Sequence, residues 1–293
     1  MIKYVKNFTD YEVLDCGDNE KIERFGDYIL RRPDPQAIWH PENFKKYKVN
    51  AIYHRSSRGG GSWEFIDLPK TWKIDYEVAK NVKMVFNLKP FTFKHTGIFP
   101  EQATNWDFMM NKIKNSNRDI KVLNLFAYTG CATMACSKAG AVEVVHVDAS
   151  KGMCEWAKEN MNLCGLNNNK IRFIVEDCLK FVQREARRGN KYDAIIMDPP
   201  SYGRGPNGEM WKFEHNLYNL IIACLDILSD KPLFFLINSY TTGISSTVLH
   251  NILKETISKK YGGKIEYGEI GLPIKNNNLV LPCGIFGRWE TYE

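Results

Sequence analysis

Asp148, Asp177 and Asp198 each stand within two residues of the end of a short apolar run, Glu143–Val147, Ile171–Val175 and Tyr192–Met197. An acidic side chain in that position can accept hydrogen bonds from ribose hydroxyls. It can equally accept from an exocyclic amine while a neighbouring backbone N–H meets a ring nitrogen. By that chemistry Asp148 suits a ribose, and Glu176-Asp177-Cys178 suits an adenine edge. A further run, Val122–Phe126, leads through Asn124-Leu-Phe-Ala-Tyr-Thr-Gly130 into a helix opening at Gly130. That turn has neither the G-x-G-x-x-G pattern nor a P-loop, so a nucleoside without phosphates fits it better than a dinucleotide.

The last acidic residue lies in Met197-Asp198-Pro199-Pro200-Ser201-Tyr202. Two prolines fix φ and push the residues before them to extended geometry, which makes a rigid turn. Such a turn can aim Asp198 and the Pro199 carbonyl at a planar nitrogen heterocycle, and Tyr202 can add a stacking face. Each feature also has an ordinary alternative. Glycines open many helices, an aspartate at a strand end caps the helix that follows, and paired prolines make plain loops. Arg204 and Lys212, just beyond, fit either a nucleic-acid contact or a solvated loop and helix start.

These residues require a scaffold that gathers strand ends. From about Lys121 the sequence alternates regularly: strands at Val122–Phe126, Glu143–Val147, Ile171–Val175, Tyr192–Met197 and Leu233–Asn238, with helices at Gly130–Ala139, Lys151–Leu163, Cys178–Arg188, Lys212–Leu228 and Ser245–Lys260. Two last strands, Lys264–Glu269 and Leu281–Trp289, should form a hairpin. Five βα units followed by a hairpin predict an α/β fold, a doubly wound, mostly parallel seven-stranded sheet with an antiparallel edge. Ligands of such sheets sit beyond the carboxyl ends of the strands, where the three aspartates fall.

Residues 1 to about 90 read as a small β-rich domain. Short runs at Tyr11–Asp15, Tyr28–Arg31, Trp63–Ile66, Trp72–Tyr76 and Val82–Leu88 are separated by turn residues such as Gly17-Asp18-Asn19 and Pro33-Asp34-Pro35. Arg55–Gly61 reads as a mobile loop. The expected division is therefore 1–90 and 91–293.

Composition narrows the class. At 44% hydrophobic and 25% charged residues the chain is too apolar for a disordered one. The longest apolar stretches, Ile221–Leu228 and Leu233–Ile237, are interrupted by Asp226 and Ser229-Asp230. The first fifteen residues hold no continuous apolar segment, and neither a membrane protein nor a secreted one is expected. Eight cysteines contain no C-x-x-C pair, which points to buried reduced thiols in a cytoplasmic protein; nothing resembles a metal site. The net charge of +6 is compatible with a polyanionic partner, and the surplus is +4 over residues 1–95 against +2 over the remainder.

The set NLFAYTG, VDAS, VEDC and MDPPSYGRG, with the closing hairpin, resembles the class I S-adenosylmethionine-dependent methyltransferases. The nearer resemblance is to the bacterial group of 23S ribosomal RNA cytosine-C5 and guanine-N7 enzymes. It extends to Lys94-His95-Thr96-Gly97-Ile98-Phe99-Pro100-Glu101-Gln102 and covers about residues 90–290. It implies a Rossmann-like methyltransferase domain binding S-adenosyl-L-methionine through Phe99, Gln102, Asn124, Phe126, Tyr128, Gly130, Asp148, Ala149, Asp177, Cys178 and Asp198. Asp198, Pro199 and Tyr202 would serve the reaction, and Arg204 and Lys212 the RNA.

One departure bears on the substrate. Enzymes that methylate cytosine C5 add a thiolate to the ring, which in the related group follows the fifth strand in a Ser-Cys-Ser-like segment. Here that segment is Asn238-Ser239-Tyr240-Thr241-Thr242-Gly243. A tyrosine with a pKa near 10 holds little anion at neutral pH. The expected reaction is therefore methylation of a base nitrogen in ribosomal RNA. The alternatives are a protein amide or small-molecule acceptor, or a non-catalytic RNA-binding module. Trp39, Tyr53 and Trp63 fit either an RNA-gripping surface or the small domain's core. The sequence is compatible with a monomer or a homodimer.

Overall fold

Strands that are apolar along their whole length cannot leave either face in water, and here they line the middle of one sheet. A computed structural model describes residues 1–56, 60–79, 82–91 and 93–292. Its strands β1 (Lys121–Leu125), β2 (Glu143–Asp148), β3 (Ile171–Val175), β4 (Ala194–Met197) and β5 (Phe234–Ser239) are followed by the long pair β6 (Lys264–Pro273) and β7 (Val280–Glu290). Their order is β6-β7-β5-β4-β1-β2-β3. β1 to β5 run parallel, and β7 lies antiparallel to β5. Strand order reverses between β1 and β4, which is the switch point where such sheets take ligands. The sheet has eight strands rather than the expected seven, because Ile2–Lys3 pairs onto the outer edge of β6.

The helices are α1 (Ala103–Asn115), α2 (Cys131–Lys138), α3 (Lys151–Leu163), α4 (Cys178–Arg187), α5 (Phe213–Leu225) and α6 (Ser246–Leu253). Side-chain caps begin α3, where Ser150 accepts from Met153 N, and α4, where Asp177 accepts from Lys180 N. On one face of the sheet Phe181 and Val182 of α4 and Leu220 and Ile221 of α5 pack over Leu123 and Ile195. Three expectations need correction. α1 was not foreseen, although Trp106, Met109, Met110 and Ile113 give it a buried stripe. The helix expected from Lys212 starts at Phe213, because Met210–Lys212 pairs with Tyr202–Arg204 as a small hairpin. The helix expected to Lys260 turns π-helical at Lys254–Ser258, where the Thr256 hydroxyl bonds the Ile252 carbonyl.

The chain divides into two units, one of Met1, Asn105–Glu269 and Gly284–Glu293, the other of Ile2–Thr104 and Ile270–Cys283. The second unit contains a five-stranded sheet (Tyr11–Gly17, Glu20–Phe25, Tyr28–Pro33, Ala51–Arg55, Gly61–Phe65) and a ribbon of Trp72–Ala79 with Val82–Leu88. Glu20–Phe25 and Ala51–Arg55 were not foreseen: the first is charged at four of its six positions, and the second is only five residues long and ends in His54-Arg55. The two-residue turn at Asp18 and Asn19 has φ of 49° and 64°, a mirror-image hairpin turn that those residue types tolerate. The Arg55–Gly61 loop lies in part outside the described residues. Tyr53 is buried at 4% exposure, and Trp39 and Trp63 are half-buried.

Many of this unit's cations are already paired. Glu23 accepts from Tyr11, from two nitrogens of Arg32 and lies 3.2 Å from Lys21 Nζ, while Arg24 meets Glu12 and Arg31 meets Glu20. Burial alone would raise the Glu23 pKa, but Arg32 and Lys21 outweigh it and hold the carboxyl at about 2. Among the described residues no helix is long and apolar enough to cross a membrane.

Candidate functional site

The tips of the parallel strands are level. Met197 of β4 pairs with Leu125 of β1 and Ile237 of β5, Leu125 with Val147 of β2, and Asp148 with Val175 of β3. Neighbouring strands lie about 4.8 Å apart, so β1 and β3 are separated by about 10 Å. Gly130, Asp148 and Asp177 therefore come to the same edge of the sheet, and hydrogen bonds join their segments. Asp148 Oδ2 accepts from Tyr128 N at 2.8 Å, and its Oδ1 accepts from Ser150 N at 2.8 Å. The Asp148 carbonyl accepts from Glu176 N at 3.1 Å.

The turn after β1 is held in an unusual conformation. Phe126 and Tyr128 have φ of 54° and 50°, and Gly130 has φ of 85°. Left-handed backbone at a residue other than glycine costs about 1–3 kcal/mol and persists only where its surroundings enforce it. Here Ala127 N bonds the Val147 carbonyl, Gly130 N bonds the Ala127 carbonyl, and Asp148 takes Tyr128 N. Asn124 is buried and donates to Thr133 Oγ1 at 3.0 Å, and that oxygen lies 3.0 Å from His146 Nδ1. The Asn124 side chain thus anchors the turn from below, and the Asn160 amide does the same through the Thr129 carbonyl. A Cβ on Gly130 would stand 3.0 Å from Ala157 Cβ and 3.2 Å from Met134 Cε. Gly130→Ala should therefore destabilise the chain by about 2 kcal/mol, from strained backbone and overpacking together. Urea unfolding of the variant checks this, and an unchanged midpoint would count against a packed glycine.

Burial raises the Asp148 pKa, opposed by the N–H groups of Ser150 and Tyr128. Ala149, beside it, is half-buried. Asp177 is the N-cap of α4, so the ordinary reading of its position holds for Oδ1, which takes Lys180 N at 3.0 Å. Cys178 is buried, and its thiol pKa lies well above the usual value because of that burial, opposed by a backbone hydrogen bond from Phe126. Cys178 thereby ties the tip of β3 to the turn after β1.

Across the switch point, Asp198 is half-buried and Pro199 buried. Asn238, the penultimate residue of β5, donates Nδ2 to Asp198 Oδ1 at 3.3 Å. The Pro200 carbonyl accepts from Trp211 Nε1 at 2.7 Å, and Ser201 Oγ lies 3.0 Å from Thr241 Oγ1. The Trp211 ring in turn packs on Phe126, with centroids 4.7 Å apart. The hairpin that holds Trp211 places Tyr202 opposite Lys212 and Arg204 opposite Met210. These four side chains are all exposed, Tyr202 by 50%, while Trp211 on the other face is buried. The sequence reading found Tyr202, Arg204 and Lys212 but not the hairpin that aligns them, nor Asn238 beside Asp198.

Phe99 and Gln102 belong to the N-terminal unit, at the start and end of the short helical turn Pro100–Gln102. The Phe99 ring packs 5.2 Å from that of His95, whose pKa is lowered to about 4 by burial and then by Arg32. Their cofactor role stands on the resemblance alone. All eight cysteines are free, and burial raises the pKa of Cys131 to about 12. Among the described residues no cluster of His, Cys, Asp and Glu could hold a metal ion.

A sequence profile of the S-adenosylmethionine-dependent methyltransferases matches residues 55–245. The chain belongs to that family. This methyltransferase is 37% identical to the SAM-dependent methyltransferase from Agrobacterium tumefaciens, whose crystal structure it matches at a TM-score of 0.92 over 100% of this chain and 94% of that one. It is also 30% identical over 207 residues to the ribosomal RNA large subunit methyltransferase K/L of Shewanella frigidimarina, covering 70% of this chain. The methyltransferase spans only 27% of that relative's length. Against the ribosomal RNA large subunit methyltransferase K of Neisseria meningitidis it is 23% identical, over 83% of this chain and 68% of that one. The methyltransferase fold and the S-adenosylmethionine cofactor expected from the sequence are thereby established.

Proposed function

We propose that this methyltransferase modifies a nitrogen of a base in ribosomal RNA, in the cytoplasm. The observation that carries the reading is the Asp198-Pro199-Pro200 turn at the tip of β4, braced by Trp211 and by Asn238, in a site where burial keeps the nearby thiols protonated. A carbon acceptor needs a thiolate to add to the ring, whereas a nitrogen brings its own lone pair. Relatives named for large-subunit ribosomal RNA support the substrate class. The eight free thiols suit a reducing compartment.

Bound S-adenosylmethionine supplies an electrophilic methyl group on a positively charged sulfur. Asp148 is proposed to hold the ribose hydroxyls. A carboxylate offers about four acceptor positions, and the Tyr128 and Ser150 N–H groups occupy one on each oxygen. Asp177 and the backbone N–H of Cys178 meet the adenine edge, while Phe126, Tyr128 and Gly130 present turn backbone to the methionine portion. Asp198 and the Pro199 carbonyl orient the acceptor nitrogen, and Asp198 takes its departing proton. Tyr202 stacks on a base, and Arg204 and Lys212 meet phosphates from the same hairpin face. Residues 1–90 would add weaker phosphate contacts, since Arg24, Arg31 and Arg32 are held by Glu12, Glu20 and Glu23.

The test is incubation of the methyltransferase with methyl-labelled S-adenosylmethionine and an extract of cells lacking it. The label should enter the RNA fraction and be recovered, after digestion to nucleosides, on a nitrogen. Label in protein or in small molecules would overturn the substrate, and recovery as 5-methylcytosine would overturn the nitrogen assignment.

A further inference from the structure

Arg288 is a lone cation in an apolar stretch of β7, and it is only 4% exposed. Its Nε and Nη2 donate to Asn105 Oδ1 at 3.0 and 2.7 Å. Glu266 Oε2 lies 3.5 Å from its Nη1, and the rings of Phe108 and Phe286 lie 4.8 and 4.5 Å from the guanidinium. Asn105, in the first turn of α1, carries the contact onward, with Nδ2 at 3.5 Å from Asn238 Oδ1. Asn238 then donates Nδ2 to Asp198 Oδ1. Asn105 and Asn238 are each 1% exposed. Three buried residues, from β7, α1 and β5, thus form one line that ends on the acceptor-orienting carboxylate in the turn after β4.

The line has a direction set by chemistry. A guanidinium has only donors and an ionised carboxylate only acceptors, while each amide has one end of each kind. Between a donor-only end and an acceptor-only end, both amides must lie head to tail. Turning either one over would set oxygen against oxygen or N–H against N–H. Burial lowers the Arg288 pKa to about 10, partly restored by Glu266, so it remains a cation at neutral pH and its end keeps its polarity. The two contacts beyond Asn105, at 3.5 and 3.3 Å, are long, and their sign rather than their strength is what the line transmits.

We propose that Arg288, Asn105 and Asn238 are positioning residues that keep an N–H directed at Asp198 Oδ1 and so fix the rotation of its carboxylate toward the acceptor. The inference rests on the acceptor-orienting role of Asp198 given above. A purely structural network would tie activity to stability, whereas a polarity relay separates them. Asn105→Asp makes the separation visible. Arg288 gains a full negative partner, so the fold is kept, but the Asn238 amide must now donate toward position 105 and turn its oxygen to Asp198.

The experiment measures the initial rate of labelled methyl transfer from S-adenosylmethionine into an extract of cells lacking the protein, over a range of cofactor concentrations. Asn105→Asp should lower the maximal rate about tenfold, the loss expected for one misdirected hydrogen bond to a charged group, with KM for the cofactor and the thermal midpoint unchanged. Arg288→Lys, which is also donor-only, should keep the rate within about threefold, and Arg288→Gln, which can present oxygen, should lose about tenfold. Asn105→Asp at the full rate beside a slow Asp198→Ala would overturn the relay alone. Asp198→Ala at the full rate would overturn the role of Asp198, and the relay with it.

Discussion

Asp148→Ala should bind S-adenosylhomocysteine at least about a hundredfold more weakly than the wild-type protein. Two losses combine. The hydroxyls proposed to meet the carboxylate lose their acceptor, and hydrogen bonds to a charged group are worth about 1.5–3 kcal/mol each. The turn after β1 also loses the group that holds Tyr128 N at a left-handed φ, so the ligand must pay to order what Asp148 had ordered beforehand. Acidification gives a second signature. Burial raises the Asp148 pKa above the ordinary aspartate value of 3.8, against the pull of the Ser150 and Tyr128 N–H groups. If ligand hydroxyls donate to the ionised form as proposed, affinity is full above this pKa and declines as pH falls through it. The decline should therefore begin at higher pH than for an ordinary aspartate, and it should be missing in Asp148→Asn. Calorimetric titration across the acid range checks both points, and equal affinity in wild type and Asp148→Ala would remove Asp148 from the site.

The parts of this fold that were legible are those in which local chemistry and tertiary fate agree. Runs such as Val122–Leu125 and Ala194–Met197 are apolar because both faces are covered, and the aspartates and Gly130 at their ends mark where the chain leaves the sheet. Lys151–Leu163 and Ile171–Val175 lie where their patterns put them, the first behind a serine cap. The failures have separate physical causes. α1 carries a helical spacing of apolar residues, but they sit among Asn, Asp and Lys and no strong cap announces its start. Met210–Lys212 is too short to show a period, and only its pairing with Tyr202–Arg204 makes it a strand. Tyr53 gave no local sign of its side, which the register of Ala51–Arg55 in its sheet decides.

The polar line behind Asp198 shows a different limit. Asn238 and Arg288 were visible as polar residues in the apolar segments FFLINS and GIFGRWE, which is a signal of buried hydrogen bonding. Their partner Asn105 lies more than 130 residues away from either in sequence, and nothing local joins the three. Single residues of unusual type in a strand can be read from sequence; the pairing that gives them a task requires the assembled sheet.

Asp198→Ala should lower the maximal rate of methyl transfer by about a hundredfold to a thousandfold, while KM for S-adenosylmethionine changes less than about tenfold. A nitrogen that accepts a methyl group gains positive charge, and one carrying a proton must lose it to become neutral. In the role proposed for Asp198, its carboxylate would accept the hydrogen bond from that N–H, align the lone pair with the methyl donor and stabilise the charge as it develops. The rigid Pro199-Pro200 turn, fastened through Trp211 and Ser201, remains in the variant, so the loss falls on the reacting group rather than on the fold. Asp198→Asn separates charge from placement. It can still present an oxygen to the Asn238 amide, yet it carries no negative charge and takes no proton, so its rate should lie between those of the alanine variant and the wild type. Single-turnover transfer of labelled methyl into RNA from cells lacking the protein measures all three. If Asp198→Asn is as fast as the wild type, the carboxylate holds the acceptor by shape alone, and the proton must leave by another route.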